Sequence, residues 1–123
     1  SDFIPVVAPI GYGNNSKTYN INGDTVAGAL ASSLNADRLL LLTDVEGVKS
    51  SEGKLIPQLD SIQARKLIKD GVISEGMIPK VNTSLDAIEN SVRAAVIIDG
   101  RVEHSCLLEL FTSHGAGTLF RNN

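Results

Sequence analysis

The sequence predicts an α/β fold: an open, mainly parallel sheet with helices on both faces. Two nearly continuous apolar blocks, "ADRLLLLTDV" and "RAAVIIDG", have the pattern of strands buried on both faces, as central strands of parallel sheets are. Segments with apolar residues at helical spacing alternate with these blocks, and that alternation is the α/β signal. No repeat, low-complexity tract or linker divides the 123 residues, so they form one domain or part of one.

In chain order, "PVVAPI" reads as a strand, and "GYGNNSK" as a turn-rich loop leading into a second extended piece, "TYNIN". "DTVAGALASSL" places Val26, Ala27, Leu30, Ala31 and Leu34 at helical spacing, with Asn22 or Asp24 as its N-cap. The strand "ADRLLLLTDV" follows, then a turn at "SSEGKL". "LDSIQARKLIKDG" predicts a helix with Ile62, Leu67 and Ile68 inward and Gly71 as its stop. "MIPKVNTSLDAIENS" predicts another, with Pro79 near its first turn, where a missing amide proton costs little. The buried strand "RAAVIIDG", a short helix "HSCLLELF" and a closing strand "AGTLF" complete the order. In such sheets ligands bind beyond the carboxyl ends of the strands, here near Thr43, Asp44 and Asp99.

Composition narrows the function classes. A formal net charge of −3 and an absence of tryptophan argue against a surface built mainly for nucleic acid, and "ARKLIKD" reads as a solvated helix face. Cys106, alone in the chain and in an apolar context, reads as a structural thiol, and a single cysteine favours a reducing cytoplasm. The longest apolar run, Leu39 to Leu42, is far shorter than the roughly 20 residues of a membrane helix. The amino end lacks the charge and apolar pattern of a signal peptide. "FIPVVAP" instead reads as a buried strand close to residue 1, the expectation for a piece of something longer.

Several residues have chemical potential. Asn20, Asn22 and Asp24 alternate ahead of a helix, and share one face if the extended backbone continues to Asp24. Asp44 ends an apolar strand, where it can meet a ligand or satisfy turn amides. Lys80 falls in the first turns of a helix preceded by Gly76, which suits phosphate, although a surface lysine is the ordinary reading and no Gly-x-x-x-x-Gly-Lys-Ser/Thr pattern occurs. His104 and His114 have no partner at metal-ligand spacing, and no Gly-x-Ser-x-Gly elbow is present. The glycines of "GAGT" read as a tight turn before the last strand.

In order and spacing, "YNINGDTVAGALASSLNADRLLLLTDVEGV", "ISEGMIPKV" and "HSCLLELFTSHGAGTLF" resemble the carboxyl-terminal, ATP-binding half of the N-acetylglutamate kinases within the amino acid kinase family. The resemblance covers essentially the whole chain. It implies a nucleotide-binding lobe over 1–123, with the family's amino-terminal substrate lobe and its further catalytic lysine having no counterpart here. The implied reaction moves the ATP γ-phosphoryl to the side-chain carboxylate of N-acetyl-L-glutamate, with Mg²⁺ carried mainly by the ATP phosphates and water, in the cytoplasmic synthesis of arginine. Lys80 would then lie against the transferred phosphoryl and Asp24 would hold lysine ammonium groups in place. Asn20 and Asn22 would bind acetylglutamate, because amides offer donors without adding negative charge. Thr43, Asp44, Gly47, Val48, Val72 and Met77 would bind the nucleotide, and no protein ligand for the metal is implied.

The tail resembles that of arginine-inhibited members, which implies an inhibitor site at Glu109 and Gly115; an exposed helix glutamate is the ordinary reading of Glu109. Val96 stands where arginine-sensitive relatives often have histidine, and the amino-terminal helix that joins dimers of the complete homo-oligomeric enzyme lies outside this sequence. Gly23 replaces the family's usual alanine, at a cost of at most roughly 1 kcal/mol. On this reading the isolated chain binds nucleotide without turnover. Alternatives are another amino acid kinase, such as an aspartate kinase, or a regulatory or assembly module that binds arginine or a partner protein.

Overall fold

The computed structural model describes residues 2–123. Its centre is a four-stranded sheet of order β3-β5-β6-β4, formed by β3 (Arg38–Thr43), β4 (Gln58–Leu59), β5 (Ala94–Asp99) and β6 (Gly117–Phe120). β3 pairs in parallel with β5, from Arg38 opposite Ala94 to Thr43 opposite Asp99, and β4 pairs in parallel with β6. β6 runs antiparallel to β5, so the sheet is mixed but mainly parallel. A separate antiparallel hairpin joins β1 (Ile10–Tyr12) to β2 (Thr18–Asn20) across the "GNNSK" turn.

Helices cover both sheet faces, as the alternation predicts. Leu39 and Leu41 of β3, Ala95 and Ile97 of β5 and Phe120 of β6 belong to the main core. That core also takes Ala31 from α1 (Gly23–Ser33), Ala64 from α2 (Ser61–Lys69) and Val81 and Leu85 from α3 (Ile78–Glu89). Strand alternation sends Arg38, Leu40 and Leu42 to the opposite face, where Arg38 bonds to Glu109 of α4 (Ser105–Phe111).

Local chemistry sets the helix ends. Asp60 and Gln63 form a capping box at the start of α2, with Gln63 N–H donating to Asp60 Oδ1 at 2.7 Å and Asp60 N–H to Gln63 Oε1 at 3.0 Å. Gly71, at φ +71°, follows its last turn.

Three expectations need correction. Residues 3–8 are not a buried strand: the first strand begins at Ile10, and Phe3, Ile4 and Val6 are almost fully exposed because no ladder partner lies beside them among the described residues. β3 is buried on one face only, since it lies at the sheet edge, and Leu42 is 50% exposed. Ile62 points outward at 80% exposure; Ala64, Leu67 and Ile68 make the inner stripe of α2. The segment after Thr43 also holds the short strand β4, too brief to leave a periodic signal.

One buried polar group ties the sheet to the loop after β3. Thr118 Oγ1 accepts from Val48 N–H at 2.9 Å and donates to the Ile56 carbonyl at 2.7 Å. Thr118→Val strands both backbone groups, with an expected loss of about 1–3 kcal/mol. Urea unfolding checks this, with Thr118→Ser expected to retain most of the stability.

Candidate functional site at the carboxyl edge of the sheet

Asp24 and Lys80 meet because two helices pack closely. On α1, Asp24, Gly28 and Ala31 fall at i, i+4 and i+7 and share a stripe; on α3, Lys80, Thr83, Ser84 and Ala87 do the same. A Cβ at Gly28 would stand 3.0 Å from Thr83 Cγ2, so a larger residue would push the helices apart. One turn toward the amino end of that contact, Lys80 Nζ donates to Asp24 Oδ2 at 2.7 Å. Both side chains are about one-quarter to one-third exposed, at 23% for Lys80 and 32% for Asp24. The pair is thus partly desolvated yet open on one side.

Both helix starts support this pair. Asn22 caps α1, its Oδ1 accepting from the N–H groups of Asp24 at 3.0 Å and Thr25 at 3.2 Å. That resolves the choice of N-cap and places Asp24 in the first helical turn. It also corrects the shared face: extension ends before Asp24, whose direction is set by the helix, while Asn20 ends β2 and is exposed. Asn22 keeps its amide N–H₂ for other partners, because only its oxygen serves the cap. α3 begins after Met77 with no side-chain cap; Ile78 N–H donates to the Ser74 carbonyl and Pro79 has no N–H, so the Lys80 N–H is the free donor at the positive end of the helix.

A cavity of about 450 Å³ opens beyond β3 and β5, between the loop from Asp44 to Ser50 and the approach to α3. Of the residues expected at a nucleotide, Asp44, Gly47, Val48, Val72 and Met77 line it; Thr43 does not. Val48 and Met77 are buried in the core beneath it, giving the cavity an apolar wall on a rigid support. Gly47 is required by its backbone: at φ +146°, a Cβ there would lie 2.7 Å from Thr118 Oγ1.

Asp99 and Arg101 supply polar groups at the same edge. Arg101 grips Asp99 through two parallel contacts, Nε to Oδ1 at 3.0 Å and Nη2 to Oδ2 at 2.9 Å, and its backbone N–H donates to Oδ1 at 2.9 Å. The Arg101 hydrogen bonds hold the Asp99 carboxyl below its ordinary pKa; in turn Asp99, and more weakly Asp44, hold the guanidinium charged. Arg101 lines the cavity, a placement that sequence reasoning missed. It lies two residues past an apolar strand, and only the sheet register aligning Thr43 with Asp99 brings that turn beside Asp44.

On the other sheet face, Glu109 is not an exposed helix residue. It is 7% exposed, and its carboxylate accepts from Arg38 Nη1 at 3.3 Å and from Ala116 N–H at 2.7 Å. Gly115, at φ +62°, borders Glu109 Oε2, and both residues line a second cavity of about 300 Å³. Cys106 is half-buried on the same helix. Among the described residues no three His, Cys, Asp or Glu side chains gather as a metal site, and no helix is long and apolar enough to cross a membrane.

Comparison with known proteins places this architecture. The family model described as "Amino acid kinase family" matches residues 1–99. Acetylglutamate kinase from Ruegeria pomeroyi is 58% identical over 99% of this chain and 42% of its own length. That from Gluconacetobacter diazotrophicus is 60% identical over 98% of this chain and 39% of its own length. The chain thus spans about two-fifths of the curated relatives it matches. Among solved structures, N-acetylglutamate synthase from Neisseria gonorrhoeae, complexed with coenzyme A and L-arginine, superposes with a TM-score of 0.86 at 29% identity, over 94% of this chain and 27% of that one. Carbamate kinase from Giardia lamblia, bound to AMP-PNP, shares the fold at a TM-score of 0.70 and 21% identity, over 93% of this chain and 37% of that one.

Proposed function

This chain belongs to the amino acid kinase family, and from that premise we propose that it is the ATP-binding part of an acetylglutamate kinase. In the complete enzyme the ATP γ-phosphoryl moves to the side-chain carboxylate of N-acetyl-L-glutamate, a step of arginine synthesis in the cytoplasm. The observation that carries this reading is the Asp24–Lys80 pair, 2.7 Å long, at the starts of two helices.

Donor and acceptor of this reaction are both anions, so the protein must neutralise charge as the phosphoryl passes between oxygens. Lys80 offers a fixed ammonium for that purpose, and Asp24 fixes where it points. The start of α3 adds one backbone donor, the Lys80 N–H. Asn20 and the free amide of Asn22 lie on the approach to α1, where they offer donors to the acetylglutamate carboxylate without adding charge. Asp44, Gly47, Val48, Val72 and Met77 form the nucleotide end, with Thr43 behind Asp44 outside the cavity and Val72 and Met77 apolar against the base. A Mg²⁺ that arrives on ATP keeps water and phosphate ligands and needs no protein cage. When bound, it spreads the negative charge of the phosphates.

Arginine joins the proposal as an inhibitor held at Glu109 and Gly115. The likeness to a synthase crystallised with L-arginine and the buried carboxylate beside a cavity support this role. Arg38 already presents a guanidinium to Glu109, so the ligand enters by exchange with Arg38. The proposed complete enzyme is a homo-oligomer.

Calorimetric titration of the 123-residue chain with Mg²⁺ and AMP-PNP tests the central claim. Saturable binding with no phosphorylation of acetylglutamate by ATP is expected. A folded chain that takes up no nucleotide, or one that binds arginine alone, would replace this reading with that of a regulatory module.

A further inference from the structure

The charges around the cavity beyond β3 and β5 do not match a triphosphate. Glu46 is paired with Lys49 at 3.4 Å and Arg101 with Asp99 at 2.9 Å, while Asp44 has no ion-pair partner among the described residues. Locally, therefore, one carboxylate is left in excess. A polyphosphate placed here would meet net negative charge, whereas Lys80 and Asp24 balance each other and the start of α3 adds its positive end partial charge.

The hydrogen-bonding capacity of the same groups points to a neutral ligand with hydroxyls. A guanidinium has five N–H donors. The grip on Asp99 uses Nε–H and one proton of Nη2, which leaves both protons of Nη1 and the second of Nη2. Asp99 is only 9% exposed at its side chain and holds the guanidinium plane fixed, while Arg101 itself is 68% exposed and borders the cavity. Asp44 borders the same cavity and supplies an acceptor-only carboxylate. A fixed donor and a fixed acceptor on one cavity are complementary to a vicinal diol, in which a hydroxyl both gives and accepts a proton.

We propose that Arg101, held in place by Asp99, acts with Asp44 to bind the ribose 2′- and 3′-hydroxyls of the nucleotide, which makes Arg101 a specificity-determining residue for ribonucleotides over deoxynucleotides. The inference rests on the nucleotide reading above and assigns Arg101 a role within it. It also fixes polarity: the sugar lies at Asp44 and Arg101, and the phosphates extend toward Lys80.

The test is calorimetric binding of ATP, 2′-deoxy-ATP and 3′-deoxy-ATP, each with Mg²⁺, to the 123-residue chain and to Arg101→Met, Arg101→Lys and the double variant Arg101→Met/Asp99→Asn. The last removes the nearly buried carboxylate that the first would leave unpaired, so a folding defect cannot mimic the result. The parent should bind ATP about tenfold more tightly than at least one deoxy analogue, the worth of one hydrogen bond of ordinary strength. Both methionine variants should lose that preference together with about tenfold in ATP affinity. Arg101→Lys keeps the charge but not the planar fork, and should behave like methionine. Three results would each overturn the inference: equal binding of all three nucleotides by the parent, a preference that survives in the double variant, or full rescue by lysine. A folded parent that binds none of the three overturns the nucleotide reading itself, an outcome distinct from those.

Discussion

In a chain completed to the length of its relatives, Lys80→Ala is expected to lower the rate of acetylglutamate phosphorylation on the order of 10²–10³-fold while leaving nucleotide affinity little changed. The ammonium is within 2.7 Å of Asp24, so its position is set before any substrate arrives. A charge fixed in advance stabilises a transition state without the reorganisation that water would need. Its loss should therefore appear in kcat rather than in KM. Asp24→Asn should share part of the defect, and the double variant should be little worse than Lys80→Ala, because the two act as a unit. Steady-state kinetics of the three variants decide the matter. Unchanged kcat in Lys80→Ala would remove Lys80 from the reaction and leave the pair as a link between α1 and α3.

Phe120→Ala is expected to destabilise the fold by about 3–5 kcal/mol. Phe120 is fully buried on β6 and packs into the core with Ile97 and Leu59. Removing the ring costs its transfer from water and leaves a cavity bordered by strand backbones, which relax poorly. Domains have roughly 5–15 kcal/mol in total, so this one substitution consumes much of the reserve. Urea denaturation with matched slopes measures the loss, and Phe120→Leu, which keeps more of the volume, should lose less than half as much. A change below about 1 kcal/mol would mean that β6 is not part of the cooperative core.

The sequence made the central strand, the helices and their alternation legible through periodicity. All six residues of β5 are buried, Ala94 to Ile98 as their unbroken apolar run requires and Asp99 in the grip of Arg101, and Pro79 falls in the first turn of α3. Periodicity was silent on neighbours. "RLLLLT" has the same apolar texture as "AAVIID", yet only strand order decides that the first is an edge with Leu42 half open. "FIPVVAP" reads as a strand, but a strand requires a partner, and no local pattern states whether one is present.

The candidate site divides in the same way. Asp24 and Lys80 are 56 residues apart, and nothing local brings them together; the small residues Gly28 and Ala31 do so by admitting α3. Family resemblance links the two where no local pattern does. Arg101 escaped notice because its significance depends on a partner two residues back and on a sheet register. Glu109 looked like a solvated helix residue, since its hydrogen bonds come from Arg38, 71 residues earlier, and from a loop amide beyond the helix.

The position of β6 has a consequence for how the chain emerges from a ribosome. β6 follows all its partners in chain order, yet it lies between β5 and β4 and carries every ladder bond that β4 makes. During synthesis β3 and β5 can zip together as soon as residue 99 clears the exit tunnel, but β4 waits, without a ladder, for residues 119 and 120. Thr118 also stays out of reach of Val48 until then, so the loop beside the cavity beyond β3 and β5 is anchored last. A nascent chain stalled after α4 would therefore have its β3–β5 pair and no settled cavity beside it. The settled cavity thus depends on β6 joining the sheet rather than on early collapse.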